Sequence, residues 1–403
     1  MLRASNSPKS THADFSAPAI SRLSIRQWSA RVGANDDRSM VLHAVASGGM
    51  YGIERMLATL LPSLQSTGRP VALLCLGARS GEGGTLGRLL ELKGVRVFYL
   101  ELRRNVHPRD LMALWTILKR ITPGMVHLHG YKAMITVGLV ARLLRIPVVA
   151  TVHSERASAP ELHRVLVVEG FALRQFKHLI AVSNGVADDL AHRGITGQRI
   201  SVIHNGIDDP GLVAETRDGP AAPFRAIVVG RLYEPKNVHV AIEAIALLAA
   251  RGYRCLLEVI GDGPELVSLR QQAKARGIEG QIEFVGFVDD VDQRLRRASL
   301  FLMPSRSEGI PLALLEAMAM RLPIIASRVG GIPEIVTDDR EALLVAPDMP
   351  DELAKAISRV MANPALASEL ASAARDRYVR EFQTESMRRA HEALYASIMR
   401  STE

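Results

Sequence analysis

The chain has 403 residues, of which 48% are hydrophobic and 23% charged; this excludes a disordered protein or a disulfide-stapled miniature and fits two domains. Aromatic residues make up only 4%, so single-stranded nucleic-acid binding lacks its usual stacking platform and we expect no nucleic-acid partner. The net charge of +8 divides into +10 for residues 1–215 and −2 for residues 216–403, which indicates an anionic partner for the first half, or an arginine-rich surface that faces water.

Residues 1–38 are polar, mixed in charge and without sustained periodicity, so we predict a flexible arm rather than an export signal. From residue 39 to residue 208, short aliphatic runs alternate with helical patterns. Unbroken aliphatic runs are typical of strands buried on both faces, so we predict a parallel sheet covered by helices. The predicted strands are 41–45, 71–76, 95–100, 125–128, 148–152, 179–182 and 200–203, and the predicted helices are 53–64, 86–93, 111–121, 135–144 and 164–176.

Residues 209–223 are rich in Gly, Pro, Ala and charge, which predicts a linker. The alternation then restarts and predicts a second α/β domain over residues 224–385. Two doubly wound, Rossmann-like domains side by side form a cleft at the carboxyl ends of their strands, where such sheets bind ligands. No strand follows the last helical pattern, 386–403, so we expect it to return to the first domain. The predicted strands of the second domain are 226–229, 255–260, 282–285, 300–303, 324–326 and 342–345, and its main predicted helices are 238–250, 265–275, 291–298, 311–320, 351–362 and 365–381.

The two cysteines, Cys75 and Cys255, lie far apart within predicted core segments, where a free thiol behaves as a small hydrophobic side chain. Free cysteines are typical of a reducing compartment, so we expect a cytoplasmic protein. No apolar run reaches the ~18 to 20 residues that span a bilayer, so any membrane contact would be peripheral, at the cytoplasmic face.

The most informative segment, residues 305–318, follows an apolar strand and opens a helix. We predict Pro311 in the first helical turn, where its missing N–H would be unpaired anyway. The amides of Gly309, Ile310 and Leu312 would then point outward from the helix start, which is a favourable position for an anion.

Two carboxylates bracket that helix start. Glu308 lies in the loop before it, and Glu316 lies ~7.5 Å along the helix axis. Acceptors on both sides of a diphosphate suit a nucleotide sugar, with one carboxylate for ribose hydroxyls and the other for sugar hydroxyls. The competing interpretation makes Glu308 a capping residue and Glu316 a solvated helix position. Arg231 and Lys236, in the loop after the first strand of the second domain, supply cations for the same diphosphate.

Across the predicted cleft, the glycine-rich turn 47–52 follows the first strand of the first domain. Its glycines, including Gly49 and Gly52, allow the backbone to approach a ligand closely. His153 follows another strand of this domain. It is either a group that faces the ligand or an ordinary histidine bonded to backbone.

Nine segments, in their order along the chain, carry a resemblance to a known family. They are residues 51–55, 126–129, 149–154, 181–183, 203–208, 230–236, 259–264, 304–316 and 329–334. Over residues 41–399 the chain resembles the retaining, metal-independent glycosyltransferases of the group 1 family, which have the two-domain GT-B fold. The resemblance is strongest in residues 224–336.

The resemblance implies a role for each candidate residue. Arg231 and Lys236 would bind the donor diphosphate and stabilise the leaving nucleotide, which is the work of a metal ion in the other main transferase fold. Glu308 would hold hydroxyls of the donor sugar and Glu316 those of the ribose. His153 would face the reacting centre. The remaining implied contacts are Gly49 and Gly52 near the phosphate or acceptor, and backbone groups of Gly286, Phe287 and Val288 at the nucleobase.

The sequence departs from the family pattern where glycine is usual, at Asn237 and Arg321. We expect Arg321 at a helix C-terminus, where positive charge is favourable but a positive φ is costly. Asp290-Val291-Asp292 spells the metal signature of the other transferase fold, but it opens a predicted helix, where acids act as caps. The histidines also form no spaced cluster with carboxylates, so we expect no metal site.

The predicted activity is transfer of a hexose from a UDP- or GDP-sugar to a glycan or polyprenyl-linked acceptor, with retention of configuration and no cofactor. The first domain would bind the acceptor, and its basic residues would either contact an anionic membrane or pair locally with Glu101 and Asp110. Two alternatives remain: a nucleotide-sugar epimerase of this architecture, and a non-catalytic nucleotide-sugar-binding protein. The sequence does not indicate an oligomeric state. The basic candidates are Arg103, Arg104, His107, Arg109, Lys119, Arg120 and the helix 164–177.

Overall fold

The structure is a computed structural model that describes residues 39–47, 49–77, 84–102, 107–153, 163–195, 199–211 and 223–400. The predicted arm 1–38 lies outside these ranges, as do residues 212–222 of the predicted linker. Gly48 of the glycine-rich turn and the basic candidates Arg103 and Arg104 also lie outside them.

The first domain contains a seven-stranded sheet. Its strands are β1 (Val41–Val45), β2 (Val71–Leu76), β3 (Arg96–Leu100), β4 (Met125–His129), β5 (Val148–Val152), β6 (His178–Ala181) and β7 (Ile200–Val202). They are all parallel, in the order β3-β2-β1-β4-β5-β6-β7. The helices between them are α1 (Gly52–Ser66), α2 (Thr85–Leu92), α3 (Pro108–Ile121), α4 (Tyr131–Leu143), α5 (His163–Leu173) and α6 (Asn184–His192).

The second domain repeats this plan with six strands. They are β8 (Phe224–Val229), β9 (Cys255–Ile260), β10 (Ile282–Gly286), β11 (Leu300–Met303), β12 (Ile324–Ser327) and β13 (Leu343–Val345), all parallel, in the order β10-β9-β8-β11-β12-β13. Its helices, and the last helix of the chain, are α7 (Val238–Ala250), α8 (Leu266–Ala275), α9 (Val291–Arg297), α10 (Leu312–Ala319), α11 (Ile332–Ile335), α12 (Pro350–Ala362), α13 (Pro364–Glu381) and α14 (Thr384–Arg400).

The central strands are buried on both faces, as their unbroken aliphatic sequences predict. Every residue of β1, β2, β4 and β5 is buried. Strand order reverses between β1 and β4 in the first sheet and between β8 and β11 in the second. The crevice beyond the carboxyl ends of the strands at such a reversal is where doubly wound sheets bind ligands.

The last helix returns to the first domain. The chain crosses beside Ile207, whose N–H donates to the Phe382 carbonyl at 3.1 Å and whose carbonyl accepts from Thr384 N at 3.0 Å. From Thr384 onward, α14 packs against α1. Its Tyr395 is fully buried, with the hydroxyl 2.6 Å from His127 Nδ1 on β4. The C-terminal helix therefore forms part of the first domain's core.

The observed elements follow the predicted alternation, but several bounds differ: α3 begins three residues and α4 four residues before the predicted start. Helix α6 is absent from the prediction. The predicted helix 311–320 begins one residue later, because Pro311 has an extended ψ of 120° and serves as the N-cap instead of the first helical residue. Cys75 and Cys255 are buried and form no disulfide, as predicted. Within the described ranges, no helix combines the length and the apolar character needed to cross a bilayer.

Candidate active site

A lysine and a glutamate pair at the carboxyl ends of β8 and β11. Lys236 ends the 3₁₀ turn Glu234–Lys236 that follows β8, and Glu308 lies between β11 and α10. Lys236 Nζ lies 2.6 Å from Glu308 Oε1, which also accepts from the Ser305 hydroxyl at 2.6 Å. Because Glu308 is only 9% exposed, these two donors hold its carboxylate in one orientation.

Arg231, the second candidate cation, is exposed just beyond β8. Its guanidinium lies 5.4 Å from the ring centroid of Tyr51, in the first domain, and 6.0 Å from that of Tyr233. Cation–π attraction of this kind orients a guanidinium while leaving its N–H groups unused. The guanidinium forms no hydrogen bond or ion pair with any described residue, so its donors are available to an anion.

The loop before α10 offers backbone donors to the same region. The Pro311 carbonyl accepts from Leu314 N at 3.1 Å, which closes the first turn of the helix. The amides of Gly309, Ile310 and Leu312 donate to no residue in the described ranges. An anion here would meet these three N–H groups and the positive end of the helix dipole.

Glycine allows this loop to contact the first domain at His153, which follows β5. A Cβ atom on Gly309 would lie 2.4 Å from the His153 carbonyl oxygen, closer than any side chain tolerates. On the other side of the loop, Gly330 has φ 49°, and a Cβ atom there would lie 1.9 Å from the Glu308 carbonyl oxygen. The structure therefore brings His153 and the Glu308 loop together.

Glu316, the fifth residue of α10, is buried with 8% exposure. Arg55 of α1 reaches across the cleft and lies 2.7 Å from Glu316 Oε1. The other carboxylate oxygen, Oε2, is buried and has no hydrogen-bond partner among the described residues. Burial raises the pKa of Glu316 to about 7, against the lowering effect of Arg55. A buried acceptor without a donor is uncommon in folded proteins, so this oxygen marks a place where a ligand can donate.

The predicted glycines of the first domain lie at the start of α1. Gly49 is beside Tyr51, and a Cβ atom on it would lie 2.7 Å from that ring. Gly52 is the first residue of α1, and a Cβ atom there would meet nothing within 4 Å. Through the Tyr51 ring, this turn faces Arg231 of the second domain.

The predicted nucleobase contacts follow β10, two strands away from β8 in the sheet. Gly286 ends that strand with φ 83°, Phe287 is exposed and Val288 is half-buried. The Gly286 carbonyl accepts from Gly261 N at 2.9 Å, and a Cβ atom on Gly261 would lie 1.9 Å from the carbonyl oxygen of Gly230, which precedes Arg231. The nucleobase contact of these three residues stays a prediction. Nearby Asp290 precedes α9, and its carboxylate lies 3.1 Å from the Arg294 guanidinium, so an intrahelical ion pair accounts for this acid.

Polar contacts that the sequence did not predict join the two domains beside the site. The Glu334 carboxylate of α11 accepts from Asn184 N at 2.7 Å and from Gly185 N at 2.9 Å, at the start of α6. Asn205 Nδ2 donates to the Ile310 carbonyl at 3.1 Å. A carboxylate at a helix N-terminus is favoured by the helix dipole, so α6 positions the first domain against the second.

A histidine cluster lies within β1 and β4, with His43 and His127 at the middle of their strands and His129 at the end of β4, and sequence spacing does not reveal it. Ring nitrogens of His43, His127 and His129 lie within 4.8 Å of one another, close enough to hold a metal ion. Every ring nitrogen of these three already has a hydrogen-bond partner in the protein. Burial lowers the pKa of His43 to about 3 and that of His153 to about 4, so these imidazoles are neutral at neutral pH.

Both departures from the glycine pattern occupy left-handed backbone positions. Asn237 has φ 57° and Arg321 has φ 58°, which confirms the positive φ expected for Arg321. Asn237 is buried, and its Nδ2 donates to the Pro304 carbonyl at 2.9 Å, which helps an asparagine to adopt this conformation. Arg321 follows α10, and its guanidinium lies 3.3 Å from the Ser372 hydroxyl, away from the charged groups of the site.

Known proteins share both halves of this architecture. Residues 218–377 match the family model "Glycosyl transferases group 1", and residues 50–209 match "Glycosyltransferase Family 4". Glycogen synthase of Mycobacterium tuberculosis is 30% identical over 288 residues, which cover 69% of this chain and 70% of that protein. The chain belongs to the group 1 glycosyltransferases. The family membership that the motifs indicated is thereby confirmed.

Another similar protein and a solved structure agree with this result. Alpha-D-kanosaminyltransferase of Streptomyces kanamyceticus is 27% identical over 287 residues, which cover 64% of this chain and 74% of that protein. The crystal structure of Anabaena HepE in complex with UDP-glucose is similar with a TM-score of 0.76 at 21% identity, covering 89% of this chain and 99% of HepE. The predicted GT-B fold is confirmed for this group 1 glycosyltransferase.

Proposed function

We propose that this glycosyltransferase moves a hexose from a UDP- or GDP-sugar to a glycan or polyprenyl-linked acceptor, with retention of configuration and without a metal ion. Residues 224–385 would bind the donor, and residues 39–208 together with α14 would form the acceptor side. One observation carries this proposal. Among the described residues, the Arg231 guanidinium has no carboxylate partner and three amides before and at the start of α10 donate to nothing, and Lys236, paired with Glu308, lies at the same ends of β8 and β11. An uncharged ligand would leave the guanidinium and the amides unmatched, whereas a diphosphate can accept from both and from the N–H groups of Lys236 that Glu308 does not use.

Arg231 and Lys236 would act on the leaving group. As the bond from the sugar C1 to the diphosphate oxygen breaks, negative charge grows on that oxygen. Two fixed cations and the amides of the α10 start stabilise this charge more strongly in the transition state than in the bound donor. No residue of the described site is placed as a clear nucleophile toward C1. The acceptor hydroxyl would therefore attack on the face that the nucleotide leaves, and its proton would pass to the departing oxygen.

The two carboxylates would fix the donor at either end. The unpartnered Oε2 of Glu316 would accept a hydrogen bond from a ribose hydroxyl. Glu308, held by Lys236 and Ser305, would accept from hydroxyls of the transferred hexose. Arg55 shares the Glu316 carboxylate in the ligand-free protein, so donor binding would have to keep this ion pair or exchange it for ribose hydroxyls.

A panel of nucleoside-diphosphate sugars tests this proposal. A ligand that binds only the folded state raises its melting temperature, so the correct donor should give the largest shift. The best donor is then incubated alone and with glycan acceptors. Transfer or slow hydrolysis of the donor supports a transferase, and an isomerised sugar supports an epimerase. Binding with no turnover supports a non-catalytic protein, and no shift with any nucleotide sugar would contradict the donor site.

We further propose that the outer face of α3, α4 and α5 contacts an anionic membrane. These helices pack side by side, and their exposed apolar residues include Met112, Trp115, Leu139, Leu143 and Phe171. On α3, Lys119 Nζ lies 5.3 Å above the Trp115 ring. The only acid on α3 or α4 is Asp110, which is buried and accepts from His107 N at 2.9 Å. On α5, Glu169 lies 3.6 Å from the Arg193 guanidinium. The face combines apolar and basic side chains, as interfacial helices do.

Vesicle sedimentation tests the membrane contact. Vesicles containing phosphatidylglycerol should bind the protein at low salt, and phosphatidylcholine vesicles should not. Reversal of charge at Lys119 and Arg120 should weaken this binding, whereas Lys355→Glu, on an exposed part of α12, should not. Equal binding of the two variants would contradict the assignment of this face.

A further inference from the structure

A continuous chain of hydrogen bonds runs from the cleft into the core of the first domain. Its members come from β1, β4, the end of β5 and α14, and we call them the histidine relay. The consecutive contacts are His153 Nε2 to His129 Nδ1 (3.3 Å), His129 Nε2 to His43 Nδ1 (3.0 Å), His43 Nε2 to the Tyr395 hydroxyl (3.4 Å), that hydroxyl to His127 Nδ1 (2.6 Å), and His127 Nε2 to the Thr151 hydroxyl (2.6 Å).

The relay lies almost entirely in the protein interior. His43, His127, His129 and Tyr395 are completely buried, and Thr151 is 3% exposed. Only His153, at the cleft end, is half-buried. No carboxylate belongs to the relay, so its imidazoles have no anion to hold a second proton. Each ring therefore carries one proton, and each contact in the relay has one donor and one acceptor.

This proton count leaves two arrangements in which the Tyr395 hydroxyl donates to one of its two histidines and accepts from the other. In the first, every histidine of the relay is protonated on Nδ1, and the Thr151 hydroxyl donates to His127 Nε2. In the second, every one is protonated on Nε2, and the Tyr395 hydroxyl donates to His127 Nδ1. If the Tyr395 oxygen accepted from both of its histidines, its own proton would be buried without an acceptor. In the two arrangements above, a change at one ring forces a change at all the others, because a reversed ring would place two protons, or none, in one contact.

The Thr151 hydroxyl distinguishes the two arrangements. Its only partner among the described residues is His127 Nε2. In the first arrangement this hydroxyl donates its proton to that nitrogen. In the second, His127 Nε2–H already fills the contact and the hydroxyl proton is left buried without an acceptor. A buried unsatisfied donor costs about 1 to 3 kcal/mol, so the first arrangement is favoured.

We propose that the histidine relay holds His153 as the tautomer protonated on Nδ1, which makes this nitrogen a fixed hydrogen-bond donor to a substrate oxygen in the cleft. His153 Nδ1 has no protein partner among the described residues. The same relay prevents this nitrogen from accepting a proton as a general base, because its proton could shift only if all the others shifted. Tyr395, Thr151 and the buried histidines are positioning residues for His153, and their effect on turnover rests on the proposed transferase function.

The tautomer itself is measured without substrate, on the full chain labelled with ¹⁵N-histidine. Long-range proton–nitrogen correlation spectra distinguish a protonated ring nitrogen from an unprotonated one, and His153→Gln assigns the signals by their disappearance. We expect His153 with Nδ1 protonated and Nε2 unprotonated. The opposite tautomer, or a doubly protonated ring at neutral pH, would overturn the proposal even if the protein proved to be a transferase.

Tyr395→Phe cuts the relay far from the cleft. Without the hydroxyl, neither arrangement of His43, His129 and His153 is favoured, so the His153 signals should change to a mixture of both tautomers. Tyr378→Phe is the matched control, because Tyr378 is also buried and its hydroxyl donates to the Ile207 carbonyl at 3.1 Å, outside the relay. An unchanged His153 tautomer in Tyr395→Phe would overturn the proposal.

A second pair of variants covers the case in which Tyr395→Phe does not fold. Thr151→Val removes the terminal proton and keeps a β-branched side chain, whereas Thr151→Ser restores the hydroxyl. Valine should give the tautomer mixture and serine the wild-type spectrum; identical spectra would overturn the relay. Metal analysis of the purified protein must also show no stoichiometric zinc, since zinc on the three buried histidines would replace the contacts that the relay needs.

Kinetics then connect the relay to turnover. Tyr395→Phe should lower kcat for transfer about tenfold with little change in the donor KM, because a misplaced proton weakens a contact made mainly in the transition state. If the spectra change as expected and kcat does not, His153 Nδ1 has no part in the reaction. If no turnover occurs in any variant or in the wild type, the transferase proposal fails while the tautomer assignment stands.

Discussion

The two sides of the cleft differ in how far their polar groups are paired within the protein. In the first domain, buried imidazoles bind one another and almost every ring nitrogen has a protein partner. In the second domain, within the part of the chain that the structure describes, Arg231 lacks a carboxylate partner, Glu316 has an unpartnered oxygen, and three amides at the start of α10 donate to no other residue. Side chains that are hydrogen-bonded to one another are held in place, whereas donors and acceptors without a protein partner can bind a ligand. We therefore expect the first domain to position His153 and the second domain to bind the nucleotide sugar.

The difference also lies in how each half is encoded. The donor side comes from two short stretches, 230–237 and 305–316, each joining the end of a strand to a helix. The relay needs residues from β1, β4, β5 and α14, which meet only after the sheet has formed and the last helix has returned. Variants of the donor side should therefore weaken donor binding and slow transfer. Variants of the relay should instead change the tautomer of His153.

Arg231→Ala should give the largest effect. Loss of a donor to the developing charge of the leaving group should lower kcat/KM for transfer by roughly 10² to 10³. Arg270→Ala is the control, because its guanidinium also stacks on a ring, 5.7 Å from the Phe284 centroid, but on the outer part of the second domain. Equal rates for the two variants, measured by release of nucleoside diphosphate, would remove Arg231 from the donor site.

Gly309→Ala should give the next largest effect, because it acts where the two halves touch. Its Cβ atom would lie 2.4 Å from the His153 carbonyl oxygen, so the loop or β5 must move. We expect the free energy of unfolding to fall by about 1 to 3 kcal/mol and donor affinity to weaken. Gly280→Ala has open space and should change neither quantity appreciably. Denaturant titration of both variants makes the comparison, and a stable Gly309→Ala protein with normal donor affinity would contradict the contact.

Much of this arrangement was open to prediction from local patterns. The bounds of β1, β2, β5, β9 and β11 follow directly from their aliphatic runs, and the charged donor side follows from its loop motifs. Helix α6 escaped prediction, although Ser183 signals its start by accepting from Val186 N at 3.1 Å. The relay could not be predicted, because spacing along the chain carries no information about which strands become neighbours. The pairing of Arg55 with Glu316 depends in the same way on how the domains face each other.

Glu316→Gln tests the burial of the donor-side carboxylate through pH. The pKa of Glu316 rises from 4.5 to about 7 in the folded protein, so folding favours the protonated form. This contribution to stability is complete below pH 4.5 and is lost as the pH rises through 7. Relative to wild type, the variant should therefore gain stability between these pH values. Glu381→Gln, at an exposed site on α13, is the control for loss of a carboxylate. The melting temperatures of Glu316→Gln and wild type are measured over this pH range. A difference between them that stays the same at every pH would contradict the assignment.

The smallest effect is expected at two arginines with positive φ, one in each domain. Arg321 has φ 58° and Arg145, after α4, has φ 59°. Glycine adopts a positive φ without the steric strain that a Cβ atom causes. Arg321→Gly and Arg145→Gly should therefore each raise the free energy of unfolding by about 0.5 to 1 kcal/mol. Neither should change transfer, since neither guanidinium contacts the donor side. A large change in activity for Arg321→Gly alone would mean that this departure from the family pattern alters the site.

A crystal structure of the chain with bound UDP or GDP, whichever raises the melting temperature more, tests the central claim most directly. The diphosphate should lie against the amides of Gly309, Ile310 and Leu312, with Arg231 and Lys236 both bonded to its oxygens and Glu316 accepting from the ribose. A nucleotide bound elsewhere, or a diphosphate in the cleft with both cations bonded to other protein groups, would contradict the claim.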